Sequence, residues 1–286
     1  MSVRKMENIE ITIKEFVRKS PLNRIPGEVN QMIFDEPLIK FADSDDALFS
    51  RYKTIIGMVH MTPREALALA LGKKPEELPL RLSIISWILP IALDIRKSNR
   101  FESQQPSRLW SYTRWYGEKF NEALRVHVVN FLRENGYLAT APGIGPNFKQ
   151  YNNEKGPYSN WSERHIAFVA GHGTFSLSDG FITEKGIAHR CGSIVTNMIL
   201  PASKRTADNP YSNCSYFVDK SCKACIERCP AGAITESGHN KVLCSDYQRR
   251  EFTGLRKELD VGNTGCGLCQ TKVPCEFENP VKKGKK

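Results

Sequence analysis

Eight of the nine cysteines in this 286-residue chain fall between positions 214 and 275, and only Cys191 lies outside that stretch. This crowding constrains the fold more than any other feature. A chain long enough to bury a full apolar core has no need of disulfides to hold it together, so clustered thiols point to metal or redox chemistry. The spacing is Cys214-x7-Cys222-x2-Cys225-x3-Cys229-Pro230, then Cys244, then Cys266-x2-Cys269-x5-Cys275. A [4Fe–4S] cube takes four thiolates and draws three of them from one compact loop, so eight cysteines make two cubes without remainder. Zinc is the competing reading, because Cys-x2-Cys pairs also build zinc ribbons. The x3-Cys-Pro extension and the "AGAIT" that follows favour the cluster loop.

The run "CKACIERCPAGAIT" resembles the first half of a bacterial ferredoxin motif, which has one more cysteine three residues earlier. Here that position is Asp219, and the nearest upstream thiol is Cys214. Exchanging the cysteine before proline between the two halves, as two-cluster ferredoxins do, assigns Cys214, Cys222, Cys225 and Cys275 to one cube. Cys229, Cys244, Cys266 and Cys269 then hold the other.

Upstream of the cysteines the composition is that of an ordinary globular protein: 40% hydrophobic, 25% charged, mean hydropathy −0.41. The most apolar segment, "LSIISWILPIALDI" at 82–95, is shorter than the roughly 18 residues a span requires and contains Pro90. The start, "MSVRKMENIEITIKEF", has neither an apolar signal region nor an arginine pair, which gives the expectation of a cytoplasmic protein with no membrane association. The net charge of +10 suits a polyanionic or acidic partner, but the basic residues are dispersed, as on a solvated surface, and end in the tail "VKKGKK".

Periodicity predicts a helix over 7–19 and a strand-like run near 51–59 followed by a helix from Pro63 to Gly72. It further predicts a buried central strand in 82–93, a long amphipathic helix over 107–135, and a short strand at 136–143. A loop rich in Gly, Pro and Asn occupies 142–162, a helix starts at Glu163, and two strands joined by a polar turn occupy 180–200. Alternating strands and helices predict an α/β domain over 1–205. The shift toward Cys, Asn and Asp marks a second unit over 206–286.

Residues 163–197, "ERHIAFVAGHGTFSLSDGFITEKGIAHRCGSIVTN", resemble a segment of the epoxyqueuosine reductase and reductive dehalogenase superfamily. Its pattern is E-R-x-x-A-x-x-A-G-L-G, then L-I-T, a polar turn and G-S. Glu163, Arg164, Ala167, Ala170, Gly171, Gly173, Ile182, Thr183, Gly192 and Ser193 fall in register. The resemblance implies a mixed-sheet, nitroreductase-like domain that binds cobalamin, followed by a ferredoxin-like domain whose clusters reduce it. It implies cofactor contacts from Gly171, His172, Gly173, Ser176, Ile182, Thr183, Gly192 and Ser193, and a low-potential electron donor such as ferredoxin or flavodoxin. Glycines in "AGHG" would let backbone approach a flat macrocycle.

The departures are specific. Ser176-Leu177 replaces the family's Gly-Lys, His172 replaces its Leu, and Pro157 stands where epoxyqueuosine reductases carry an acidic proton donor. The helical repeats that help those enzymes hold tRNA do not follow Cys275, so a tRNA substrate is not the leading expectation, and reductive dehalogenases are usually exported and longer. Tyr112, Tyr116, Tyr158 and His172 are the candidate proton donors; Cys191 is a candidate cobalt ligand or, more simply, a small buried residue. The leading reading is an iron–sulfur reductase acting through cobalamin on a small molecule or a corrinoid protein. The rival is an electron-transfer protein with no substrate chemistry of its own, and a third reading is a zinc-stabilised RNA-binding module.

Overall fold

The computed structural model describes residues 2–28, 31–205 and 207–281. The basic tail and the proposed boundary residue 206 lie outside them. In chain order the elements are α1 (Ser2–Lys19), β1 (Leu38–Asp43), α2 (Ala47–Ile55), α3 (Pro63–Leu71), β2 (Ser83–Pro90), α4 (Leu93–Arg100) and α5 (Arg108–Glu134). Next come β3 (Ala139–Thr140), β4 (Gln150–Asn153), β5 (Gly156–Ser159), α6 (Glu163–Val169), β6 (Gly173–Phe175), β7 (Phe181–Thr183) and β8 (His189–Thr196). The cysteine-rich part carries α7 (Ser215–Asp219), α8 (Ala224–Glu227), β9 (Ile234–Thr235), β10 (Gly238–His239), α9 (Lys241–Glu251) and α10 (Thr253–Glu258).

The main sheet runs β1-β2-β8-β3. β2 is buried along its whole length because helices cover both faces of the sheet. Its side chains alternate as a strand must. Ile85, Trp87 and Leu89 join Ile9, Ile13, Phe120, Leu124 and Val128 of α1 and α5. Ile84 joins Phe49, Tyr52, Leu67 and Ile166 of α2, α3 and α6 on the other face.

Four local expectations change. Every strand pair among the described residues is antiparallel, so the sheet is not mixed. α2 and α3 lie between β1 and β2, which pair antiparallel. The apolar run at 51–59 is not a strand: its first half completes α2, which starts at Asp46, whose side chain accepts from Leu48 N at 3.0 Å. The loop over 142–162 contains the β4–β5 hairpin, and the two strands expected over 180–200 belong to different sheets, β7 beside β6 and β8 beside β2.

The cysteine-rich part is fastened to the sheet's helical layer by polar contacts. Glu276, 2% exposed, accepts from Arg100 Nη2 at 2.7 Å and from Arg96 Nη1 at 3.3 Å. Arg228 donates to Glu102 O at 2.7 Å, and Asn99 donates to Thr271 Oγ1 at 3.1 Å. Trp110 and Trp115 of α5 lie where a side chain at Gly267 or Gly262 would have to stand. Removing one partner of a buried, multiply bonded ion pair strands the other charge. Glu276→Ala is therefore expected to lower stability by about 3 kcal/mol in urea denaturation, several times the effect of an exposed pair; a loss under about 1 kcal/mol would contradict this anchoring role.

Candidate functional site

The cysteines gather in two neighbouring sets. Cys214 is the residue before α7, Cys222 and Cys225 sit at the start of α8, and Cys275 arrives on the C-terminal segment, where its carbonyl accepts from Ile187 N at 2.8 Å. Burial and then the proximity of Cys214 and Cys222 push the Cys225 thiol up to about 12. Burial followed by Cys225, Cys214 and Cys222 raises Cys275 as well. These four thiols line one pocket of about 20 Å³ together with Ser176, Ser178 and Ile182. Asp219 is exposed and accepts from Ser221 N at 2.9 Å, outside this set.

In the second set, burial and then Cys244 and Cys229 push Cys266 up to about 12. Cys269 is raised by burial, then by Cys266, Cys244, Cys225 and Cys229. The influence of Cys225 on Cys269 marks where the sets adjoin. Among the described residues, no three His, Cys, Asp or Glu side chains converge closely enough to hold a single metal ion.

A cleft of about 660 Å³ opens between α2, the β4–β5 hairpin, α6 and the start of α9. A second cavity of about 360 Å³ shares Pro157, Arg164, Asp179 and Lys241 with it and runs on to His239, Cys244 and Gln248. Its lining cations are Arg51, Lys155, Arg164, Lys241, Arg249 and Arg256, against the carboxylates Asp179 and Asp208. Tyr52 supports the floor: its hydroxyl donates to His165 O at 3.0 Å, and its ring stands edge-on to His165 at 4.9 Å. Asp179 takes φ 57° in the turn before β7, an uncommon conformation that aspartate tolerates. Its carboxylate lies 3.2 Å from His239 Nδ1. Burial opposes charge on His239, but bonds to Asp179 and Cys244 outweigh it and hold the imidazole at about 9.

The residues expected to contact a macrocycle do not line this cleft. A side chain at Gly171 would strike Lys204 O at 2.9 Å, one at Gly173 would strike Ile182 O at 2.0 Å, and one at Gly192 would strike the Trp87 ring at 2.4 Å. The protein itself fills the space each glycine leaves. Ser193 Oγ donates to Glu163 Oε2 at 2.6 Å, and Arg125 bridges Glu163 and Glu118 at 3.2 Å each. Arg125 and Asn121 both donate to Cys191 O. Burial pushes the Cys191 thiol up to about 12, in keeping with a small interior residue. Thr183 Oγ1 donates to Gly186 O, while Ser176 and Ile182 face the first cysteine set.

Of the four candidate proton donors, only Tyr158 reaches the cleft. Tyr112 and Tyr116 pack against the α1–α5 core with ring centroids 5.8 Å apart. His172 is 4% exposed, with Nε2 3.1 Å from Ser86 O, and burial lowers it to about 3. Apart from Arg164 of the Glu-Arg pair, the cleft's cations and Asp179 carry no motif spacing. They meet only because the fold brings α2, α6 and α9 to one rim.

The chain superposes on the epoxyqueuosine reductase of Bacillus subtilis with a TM-score of 0.50 at 17% identity, covering 100% of this chain and 67% of that one. A selenomethionine-labelled epoxyqueuosine reductase gives 0.50 at 15% identity, with coverages of 96% and 66%. An epoxyqueuosine reductase solved with an epoxyqueuosine-modified tRNA-Tyr stem loop gives 0.51 at 18% identity, again covering 96% and 66%. No protein-family model matches the chain, and no curated protein matches it significantly. The fold is therefore that of the epoxyqueuosine reductases, as the 163–197 segment led one to expect. The chain spans about two thirds of the length of these solved enzymes.

Desolvation holds the imidazoles neutral: His172 and His165 are lowered to about 3 and His60 and His189 to about 4, with His60 and His172 buried and His165 and His189 half-buried. An unfolded histidine protonates near 6.5. Below that pH the unfolded chain binds more protons than the folded one, so stability is full above 6.5 and falls as pH drops toward 4. At pH 5 each such ring costs about 2 kcal/mol. His172→Gln, which keeps a donor for Ser86 O, is expected to shrink the stability difference between pH 7 and pH 5 in denaturant titrations; an unchanged difference would contradict a neutral buried His172.

Proposed function

We propose that this chain is an iron–sulfur reductase. Residues 206–286 carry two [4Fe–4S] clusters, and residues 1–205 hold a cobalamin through which an anionic small substrate is reduced. The observation that carries the reading is the position of Cys244: a member of the second thiol set lines the cavity of about 360 Å³ that shares Pro157, Arg164, Asp179 and Lys241 with the cleft of about 660 Å³. An electron supply and a small-molecule cavity thus share a boundary, and the cavity's volume is in the range of about 300–1,000 Å³ typical of such sites. The donor chemistry fits clusters: eight thiols, with a Cys-x2-Cys-x3-Cys-Pro run among them, are the number two cubes require.

Cobalamin bound in the cleft would supply a cobalt centre that takes electrons from the clusters and delivers them to substrate. Arg51, Lys155, Arg164 and Lys241 would hold the anionic groups of cofactor and substrate, and Phe175 and Tyr158 would supply apolar ring faces. Tyr158 is the residue placed to donate a proton to reduced substrate. Asp179 does not serve as an acid, because burial is outweighed by His239 and Lys241, which keep its carboxyl below the usual range. Electrons enter from a low-potential donor such as a ferredoxin or flavodoxin. Pro157, at the position of the family's acidic proton donor, favours a second reading in which the chain only passes electrons to a corrinoid-containing partner.

Anaerobically reconstituted protein is expected to hold about eight iron and eight sulfide per chain, and Cys214→Ala about four of each. Cobalamin added at micromolar concentration is expected to bind with the visible spectrum of the base-off form. Zinc without sulfide would overturn the cluster reading; intact clusters without cobalamin binding would favour electron transfer alone.

A further inference from the structure

Cys244 is the cysteine whose surroundings differ from those of the other seven. It is the one that lines the second cavity beside the cleft, and its sulfur accepts from Gln248 Nε2 at 3.2 Å, one turn further along α9. His239, five residues earlier on β10, lines the same cavity beside Cys244. One edge of that imidazole is fixed: Nδ1 lies 3.2 Å from Asp179 Oδ2. Asp179 is itself held from two sides, since Arg164 donates to its carbonyl and Lys241 Nζ lies 4.0 Å from its carboxylate. The backbone supports the same geometry. The Asn240 side chain caps α9 through Leu243 N at 3.0 Å, which sets the offset between His239 and the helix that carries Cys244 and Gln248.

Hydrogen bonds donated to a ligating sulfur disperse its negative charge and so favour the reduced, more negative state of a cluster. Resting on the cluster reading above, we propose that His239 and Gln248 are positioning residues that raise the reduction potential of the Cys244-ligated cluster by donating to its sulfur. Asp179 orients the imidazole for that task. The two clusters are thereby made unequal: the first set has no side-chain donor to its sulfurs among the hydrogen bonds of the described residues, and electrons run downhill toward the cleft. A purely structural role, in which Asp179 and His239 only staple the β9–β10 hairpin to the turn before β7, would alter stability but leave potentials in place.

The test is an anaerobic potentiometric titration of the reconstituted holoprotein followed by electron paramagnetic resonance. His239→Leu and Gln248→Leu are each expected to move the midpoint of the same one of the two cluster signals to lower potential, leaving the other where it is. His239→Gln, which retains a donor, is expected to recover most of the shift. Unmoved midpoints in both leucine variants, equal movement of both signals, or loss of half the iron from His239→Leu and His239→Gln alike would overturn the proposal. Wild-type protein free of iron and sulfide would overturn the cluster reading together with it, whereas intact clusters with unmoved midpoints would overturn this proposal alone.

Discussion

The buried contact among Arg125, Glu163 and Ser193 fixes the geometry on which everything else depends. Arg125 reaches from α5 across the edge of the sheet to Glu163 at the start of α6, and Ser193 on β8 donates to the same carboxylate at 2.6 Å. Three elements distant in sequence are thereby set against one another. Trp161 Nε1 adds a bond to Ser193 Oγ at 3.0 Å, and Trp87 fills the space above Gly192 while donating to Asn121. Charges this deep are costly unless paired and fully bonded. Arg125 is paired with both Glu118 and Glu163, its Nε alone lacking a partner, and the contact ties the start of α6 to the sheet. That start projects Arg164 and His165 into the cleft wall.

This arrangement explains why the 163–197 segment looks like that of the epoxyqueuosine reductases. Glu163, Gly192 and Ser193 form the lock between helix and sheet; Gly171 and Gly173 allow the chain to pass against Lys204 and Ile182. In this chain most residues that carry the resemblance build the scaffold; Arg164 alone among those named lines the cleft, beside side chains from outside the segment's pattern. A shared fold at 15–18% identity is what such a pattern produces.

Much of the fold was legible beforehand. The α1 and α5 helices followed from apolar spacing, and β2 from an apolar run too short for a buried helix. The α2 helix escapes the sequence because its capping Asp46 lies outside the apolar window that suggests a strand, and the mixed sheet that the resemblance implied gives way to antiparallel pairs throughout the described residues. At the site, cysteine spacing gives the expectation of two sets of four thiols, and Cys214, Cys222, Cys225 and Cys275 line one small pocket. Asp179, His239 and Lys241 could not be anticipated, since they lie 60 or more positions apart or on unrelated elements and meet only across the cleft rim.

The central claim is that two clusters stand side by side and that the one ligated by Cys244 borders the cleft. Crystals grown anaerobically and measured on both sides of the iron absorption edge test it most directly. The account predicts two compact anomalous peaks of four irons each, one within Cys214, Cys222, Cys225 and Cys275, the other within Cys229, Cys244, Cys266 and Cys269 beside His239. Single-atom peaks at the zinc edge, or an iron peak that leaves Cys244 unligated, would contradict it.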